Sequence, residues 1–243
     1  MEDKHLPLYS PLKHRDFRLL WLGQAISLIG TQMQLVGLNW HIYEITRSPA
    51  ALGLFGLLRF LPILLFGLIA GSYADLHNRK RILIVTQTSM TLLSFILFYL
   101  TSRGSITVWL IYLINIFTAI ANTFDMPARQ SLMPGLVPRK ELSNAISLSN
   151  MMFYFSSITG PAIGGFLIAH LGISSVYLFN ALSFVAVLSA LFLMHHDGEI
   201  PGKTVVSASL SSMKEGLVFV KKKTIVWSTM LLDVFSTFFA SAT

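Results

Sequence analysis

Six stretches of roughly twenty or more mainly apolar residues follow one another along the chain, and a seventh has begun when the sequence stops at Thr243. They cover about 17–43, 50–73, 82–100, 106–124, 143–170 and 173–194, with the last starting near 224. A helix needs about 20 such residues to cross the hydrocarbon core of a bilayer, so each run is long enough. Composition agrees. Only 12% of the residues are charged and 53% are hydrophobic, whereas about a quarter of an average soluble domain is charged. Most of this chain must therefore face lipid or other helices, and the expected fold is an all-α membrane protein.

The net charge of +7 raises the question of a nucleic-acid partner. The cations, however, sit between the apolar runs and share no amphipathic face, so they read as topology signals, with contact to anionic headgroups secondary. If the N-terminus is cytoplasmic, Lys4, Lys13, Arg15 and Arg18 lie inside. So do Arg79, Lys80, Arg81, Arg129, Arg139, Lys140, Lys203, Lys214 and Lys221 to Lys223. Only Arg47 and Arg103 fall outside, and Arg59 lies within a span. The expected partners start with the lipid bilayer and exclude nucleic acid. Residues 1–16 are too charged for a signal peptide and precede too long a run, so they read as an uncleaved cytoplasmic tail. There is no cysteine, hence no disulfide framework or thiolate chemistry.

After a six-helix bundle at 17–194, a cytoplasmic linker is expected at 195–223. It opens on turn residues and continues with Leu210, Met213, Leu217 and Val220 at spacings of three and four among lysines, the pattern of a helix lying in the interface. Residues 224–243 are the expected start of a seventh span. Spans one to three and four to six each have a glycine-rich middle helix followed by a tight turn. Three is odd, so the two triplets insert in opposite directions, an arrangement typical of transporters.

The stretch Gly71-Ser-Tyr-Ala-Asp75-Leu-His-Asn78-Arg79-Lys80-Arg81 resembles the signature between helices 2 and 3 of the major facilitator superfamily of secondary transporters. Asn78 stands in place of the signature's glycine, a substitution compatible with a left-handed backbone, and Leu76 replaces a usual cation. Gly160, Pro161, Gly164 and Gly165 resemble the fifth-helix motif of exporters, with Ser147 and Ser156 at its upstream small positions. Phe17 to Gln24, Arg59 to Pro62 and Asp125 to Gln130 are similar to the enterobactin-exporter and macrolide-efflux branch. The resemblance spans the whole chain. It implies a twelve-helix transporter of a bacterial plasma membrane, with this sequence as its N-terminal half, apparently cut in helix 7. The implied activity is efflux of a small amphiphilic substrate (a siderophore, macrolide or other drug) by alternating access. No cofactor is implied, and a proton gradient is the expected driving force. The second half of the transporter is then an expected partner. The competing class is a non-transporting sensor or half-transporter fragment. An enzyme is not expected, because no catalytic or phosphate-binding motif is present.

Individual residues carry sharper expectations. Asp75 is either a solvated turn acid or part of a gate that favours one state through the dipole of a facing helix, worth about 0.3–1 kcal/mol when exposed. Arg79 is expected to pair with Asp125 at the end of the fourth span, with Arg129 following. Arg59 lies about 14 Å from the outer end of its span, where an arginine costs at least about 2.5 kcal/mol. It either pairs with Gln32 or Asn115, or lines the substrate path. Gln24 and Gln32 are candidates for the cavity wall or for helix-to-helix hydrogen bonds. His41 is expected at the solvated outer interface. Asp233, an acid in the seventh span, is either a proton-coupling group or a partner of Lys221 to Lys223. The glycines of the fifth span are expected to allow close helix packing, with Pro161 bending it.

Overall fold

The computed structural model describes residues 7–198 and, beyond them, Ser228 alone. The chain divides into two compact units, Met1–Gly202 and Lys203–Thr243. The amphipathic part of the linker, the seventh span and Asp233 lie outside the described residues.

The described part is six helices: α1 (Arg15–Thr46), α2 (Pro49–Leu76), α3 (Arg79–Ser102), α4 (Val108–Leu136), α5 (Leu142–Leu171) and α6 (Ile173–Leu193). All six are long and apolar enough to cross a membrane. Their starts follow local rules. Pro49 occupies the first turn of α2, where its missing N–H costs nothing. Asn78 and Thr107 accept from the backbone N–H groups of Arg81 and Leu110 as N-caps of α3 and α4. The turn between α5 and α6 is Gly172 alone, held at φ 78°, a conformation that glycine adopts without strain.

Two boundaries differ from the sequence expectation. The fourth span does not end near Phe124, because α4 runs on through Pro127 and Pro134 to Leu136. Asp125 is therefore well inside a helix and not at its end. The N-terminal tail expected at 1–16 gives way to α1 already at Arg15, and its described part packs on the bundle: Ser10–Lys13 forms a 3-10 turn with Ser10 and Pro11 buried, and Asn144 at the start of α5 reaches Pro7 O at 3.3 Å.

Packing exchanges the two triplets. α1 lies mainly against α5 and α6, α4 lies mainly against α2 and α3, and α3 lies against α6. Swapping α1 with α4, α2 with α5 and α3 with α6 maps this pattern onto itself, as two related three-helix repeats would. The apolar core has a cluster toward each end of the bundle. One gathers Phe17, Leu83, Leu132 and Leu191, the other Ile42, Leu97, Ile111 and Tyr177. Between them is a polar layer. Asn180 Nδ2 donates to Gln34 Oε1 at 2.7 Å and lies 3.4 Å from Ser94 Oγ, so one buried amide ties α1, α3 and α6 together. α1 approaches α6 through glycines seven residues apart. A Cβ on Gly23 would meet Val187 Cα at 3.1 Å, and one on Gly30 would meet Ser183 Oγ at 2.3 Å.

Candidate gating and substrate site

The α2–α3 turn is built against the electrostatics of its own helices. Asp75 lies in the last turn of α2, exposed and without a hydrogen bond or ion pair among the described residues. A carboxylate there faces the negative end of the helix dipole. Arg79, Lys80 and Arg81 occupy the first turn of α3, the positive end. Local helix stability therefore favours none of these four charges.

What holds the turn is the segment that follows α6. Lys80 Nζ donates to Met194 O at 2.8 Å, a cation on the carbonyl end of α6. Asn78 Nδ2 donates to Asp197 O at 2.6 Å, and the Arg79 N–H donates to Gly198 O at 3.3 Å. A Cβ on Gly198 would meet Lys80 N at 2.7 Å. From the other side, Asp16 accepts from the N–H groups of His195 and His196 at 3.3 and 2.8 Å. The first residues after α6 are thus clamped by the ends of α1 and α3.

Asn78 does not use the left-handed freedom expected of it: its φ is −62° and its backbone extended. The substitution of glycine by asparagine instead adds a side-chain cap and the bond to Asp197.

The expected Arg79–Asp125 pair does not form. Asp125 is buried, and both of its oxygens are taken. Thr86 Oγ1 and Gln87 Nε2 each lie 2.8 Å from Oδ1, while Arg129 Nε donates to Oδ2 at 3.1 Å and Arg129 Nη2 closes a second bond to the same oxygen. Arg79 begins α3 seven residues before Thr86, about 10 Å along the axis. Because α4 extends past Asp125, the acid meets α3 two turns too deep for Arg79 to reach. Arg79 Nε is buried without a partner among the described residues.

The helix-5 motif divides in two. A Cβ on Gly160 would meet Gln32 Cβ at 2.5 Å and Ile29 O at 3.0 Å; one on Gly164 would meet Met33 Cα at 3.2 Å. These two glycines make the α1–α5 crossing, with Ser156 buried on the same face. Pro161 is inside the helix, half-buried, and a Cβ on Gly165 would meet nothing within 4 Å. Gly71 is likewise open on its Cβ side.

No described hydrogen bond or ion pair joins the candidate substrate residues to one another. Arg59 is exposed on α2 and pairs with neither Gln32 nor Asn115, whose Nδ2 is buried without a partner among the described residues. Gln32 stands at the α1–α5 crossing. Gln24 is half-buried higher on the same helix, and no described hydrogen bond involves it. His41 is not at a solvated interface: it is 6% exposed, with Nδ1 3.0 Å from the Tyr177 hydroxyl.

A family model described as transmembrane secretion effector, of the major facilitator type, matches residues 7–243. The chain belongs to the major facilitator superfamily. Among curated relatives, macrolide efflux protein A of Streptococcus pyogenes is 30% identical over 178 residues, 72% of this chain and 42% of that protein. The staphyloferrin A transporter of Staphylococcus aureus is 31% identical over 185 residues, 75% of this chain and 45% of that protein. The uncharacterized MFS-type transporter YfiS of Bacillus subtilis is 27% identical over 216 residues, 87% and 51% respectively. The chain thus spans about half the length of the curated relatives it matches. These relatives are transporters and not enzymes, and this major facilitator chain is a multi-pass membrane protein. The resemblance to the macrolide-efflux branch read from the motifs agrees with them.

Sequence reasoning missed the clamp on residues 194–198, which is held through their backbone carbonyls and N–H groups and so leaves no side-chain signal on that segment. It also missed the Gly23–Gly30–Gly37 series, whose seven-residue spacing was legible.

Proposed function

We propose that the chain is the N-terminal half of a proton-coupled secondary transporter that exports a small amphiphilic molecule, such as a siderophore, a macrolide or another drug. It sits in a bacterial plasma membrane with its N-terminus in the cytoplasm, and it works with a C-terminal half by alternating access. The observation that carries this reading is family membership: six membrane helices in two exchanged triplets, in a chain that matches about half the length of relatives named as efflux proteins and transporters. The α2–α3 turn adds support. Asp75 is placed where its own helix repels it and where no described residue compensates, so its partner is sought outside this bundle. A helix N-terminus on the other half fits that need, and contact there holds one state of the cycle closed. Arg129 serves Asp125 inside the bundle, so Arg79 is not held by that acid and acts with Asp75 between halves. Arg59, Gln24 and Gln32 remain the polar candidates for the substrate path, and Asp233 the candidate for carrying the coupling proton.

The test uses the full-length protein in proteoliposomes under an imposed pH gradient, with siderophores and macrolides as substrates. Transport that collapses when the gradient is dissipated is the expected result. Asp75→Asn should reduce it at least several-fold while leaving membrane insertion and yield unchanged. Undiminished transport by that variant would remove Asp75 from the gate, and transport indifferent to the gradient would remove proton coupling.

A further inference from the structure

α2 and α3 are consecutive in sequence, yet they scarcely touch. Both lie on α4, and the space left between them is a groove of about 1040 Å³. Its walls are apolar over most of their length, with Tyr73 on α2, Val85, Leu92 and Ile96 on α3 and Phe117 on α4. From Arg81 to Ile96 it follows fifteen residues of α3, about 22 Å, which exceeds the roughly 15 Å depth of one leaflet in a ~30 Å core.

One end is different. Arg81, His77 and Asn78 close the groove at the basic end of the bundle. Asn78 is committed, accepting from the Arg81 N–H and donating to Asp197 O. His77 stacks on Tyr73 with ring centroids 3.9 Å apart, and its Nδ1 lies 3.1 Å from Tyr73 O, which leaves Nε2 open. Arg81 is exposed, and its guanidinium makes no hydrogen bond or ion pair with any described residue. The Thr86 and Ser89 hydroxyls along the wall already donate within the protein. Among the described residues, the groove therefore offers a single uncommitted cation at headgroup level and an apolar channel deeper in the bilayer.

We infer that the α2–α3 groove is a binding site for an anionic phospholipid, with its phosphate on Arg81 and an acyl chain lying between Tyr73, Val85, Leu92 and Phe117. The head-and-tail division of the groove matches such a molecule, and the bilayer supplies it on that side. A fixed arginine at an anionic membrane surface contributes about 1 kcal/mol, close to a fivefold preference. The shape and charge of the groove carry this assignment, and not the identity of the transported substrate.

The experiment places full-length protein in phosphatidylcholine vesicles doped with photoactivatable phosphatidylglycerol or phosphatidylcholine of identical acyl chains, and maps labelled peptides by mass spectrometry. The glycerol lipid should label residues 85–96 about fivefold more than the choline lipid. Arg81→Gln should bring the two to parity. Ser89→Trp, which fills the groove and spares the arginine, should remove labelling by both. Lys140→Gln, an exposed cation outside the groove, should change nothing. Equal labelling by the two lipids in the unmodified protein would overturn the site. So would persistence of the preference in Arg81→Gln, or an equal loss in Lys140→Gln, which would assign the effect to overall charge. Absence of labelling at 85–96 by either lipid would likewise overturn the site and leave the groove to a covering helix.

Discussion

α2 and α5 are the middle helices of the two triplets and read alike in sequence: both are rich in glycine, and both carry one proline in the helix interior. Their glycines nevertheless do opposite things. In α5, Gly160 and Gly164 face α1 so closely that a methyl group on Gly160 would collide with the Gln32 side chain and one on Gly164 would press on the Met33 backbone. In α2, Gly53, Gly56, Gly67 and Gly71 would each meet nothing within 4 Å if given a Cβ, while the contact with the bundle is made by Phe55, Pro62, Ala70 and Ala74. A glycine-rich helix thus marks a place where close approach is possible, and the fold decides whether this bundle uses it. α5 uses it internally. α2 leaves it open.

The contrast is broken most strongly by enlarging a packed glycine. Gly160→Leu should destabilise the protein by about 1–3 kcal/mol, the usual range for overpacking, because both Gln32 and the Ile29 carbonyl must give way. Gly165→Leu, five residues along the same motif, should cost little, since its side is open. Thermal unfolding of detergent-solubilised full-length protein compares them directly. Similar losses in both variants would mean that the α1–α5 crossing is not the element under strain.

The two tight turns test the comparison at smaller scale. After α5 the chain turns on a positive-φ glycine, and after α2 it turns on an extended asparagine that caps α3. Asn78→Ala should cost about 1 kcal/mol as a lost N-cap, and it should also free Asp197 from its clamp. Faster hydrogen exchange at residues 195–198 would register that release, whereas unchanged exchange would leave the clamp to Lys80 and Asp16. Gly172→Ala should cost a similar amount for a different reason, because a side chain is strained at φ 78°.

Helix number and fold class were legible because lipid imposes long apolar runs, and the motifs carried the family. The limits of α4 were not legible. An acid and two prolines at Asp125, Pro127 and Pro134 look like a loop in a linear reading. The fold satisfies the acid with four donors from Thr86, Gln87 and Arg129, and the helix continues. The partner of Asp125 was misassigned for the same reason: an i, i+4 neighbour on an unforeseen helix was available, while Arg79 begins α3 about two turns from the level of the acid. The Lys80–Met194 contact was invisible because it joins a side chain to a carbonyl 114 residues away.

The smallest effect bears on the open side of α2. Gly67→Ala adds a methyl group to empty space and removes a glycine from a helix interior, where glycine costs roughly 0.5–1 kcal/mol relative to alanine. Stability of the described bundle, measured on a chain ending at Gly202 should that unit prove to fold alone, is therefore expected to be unchanged or to rise by at most about 1 kcal/mol. In the full-length protein the same methyl group meets whatever covers α2 there. If the face packs against a second half, transport should fall although stability of the six-helix unit does not. If the face meets only lipid, both measurements should match the unmodified protein. The pair of readouts separates an open glycine that serves a moving contact from one that serves none, which sequence similarity between α2 and α5 leaves undistinguished.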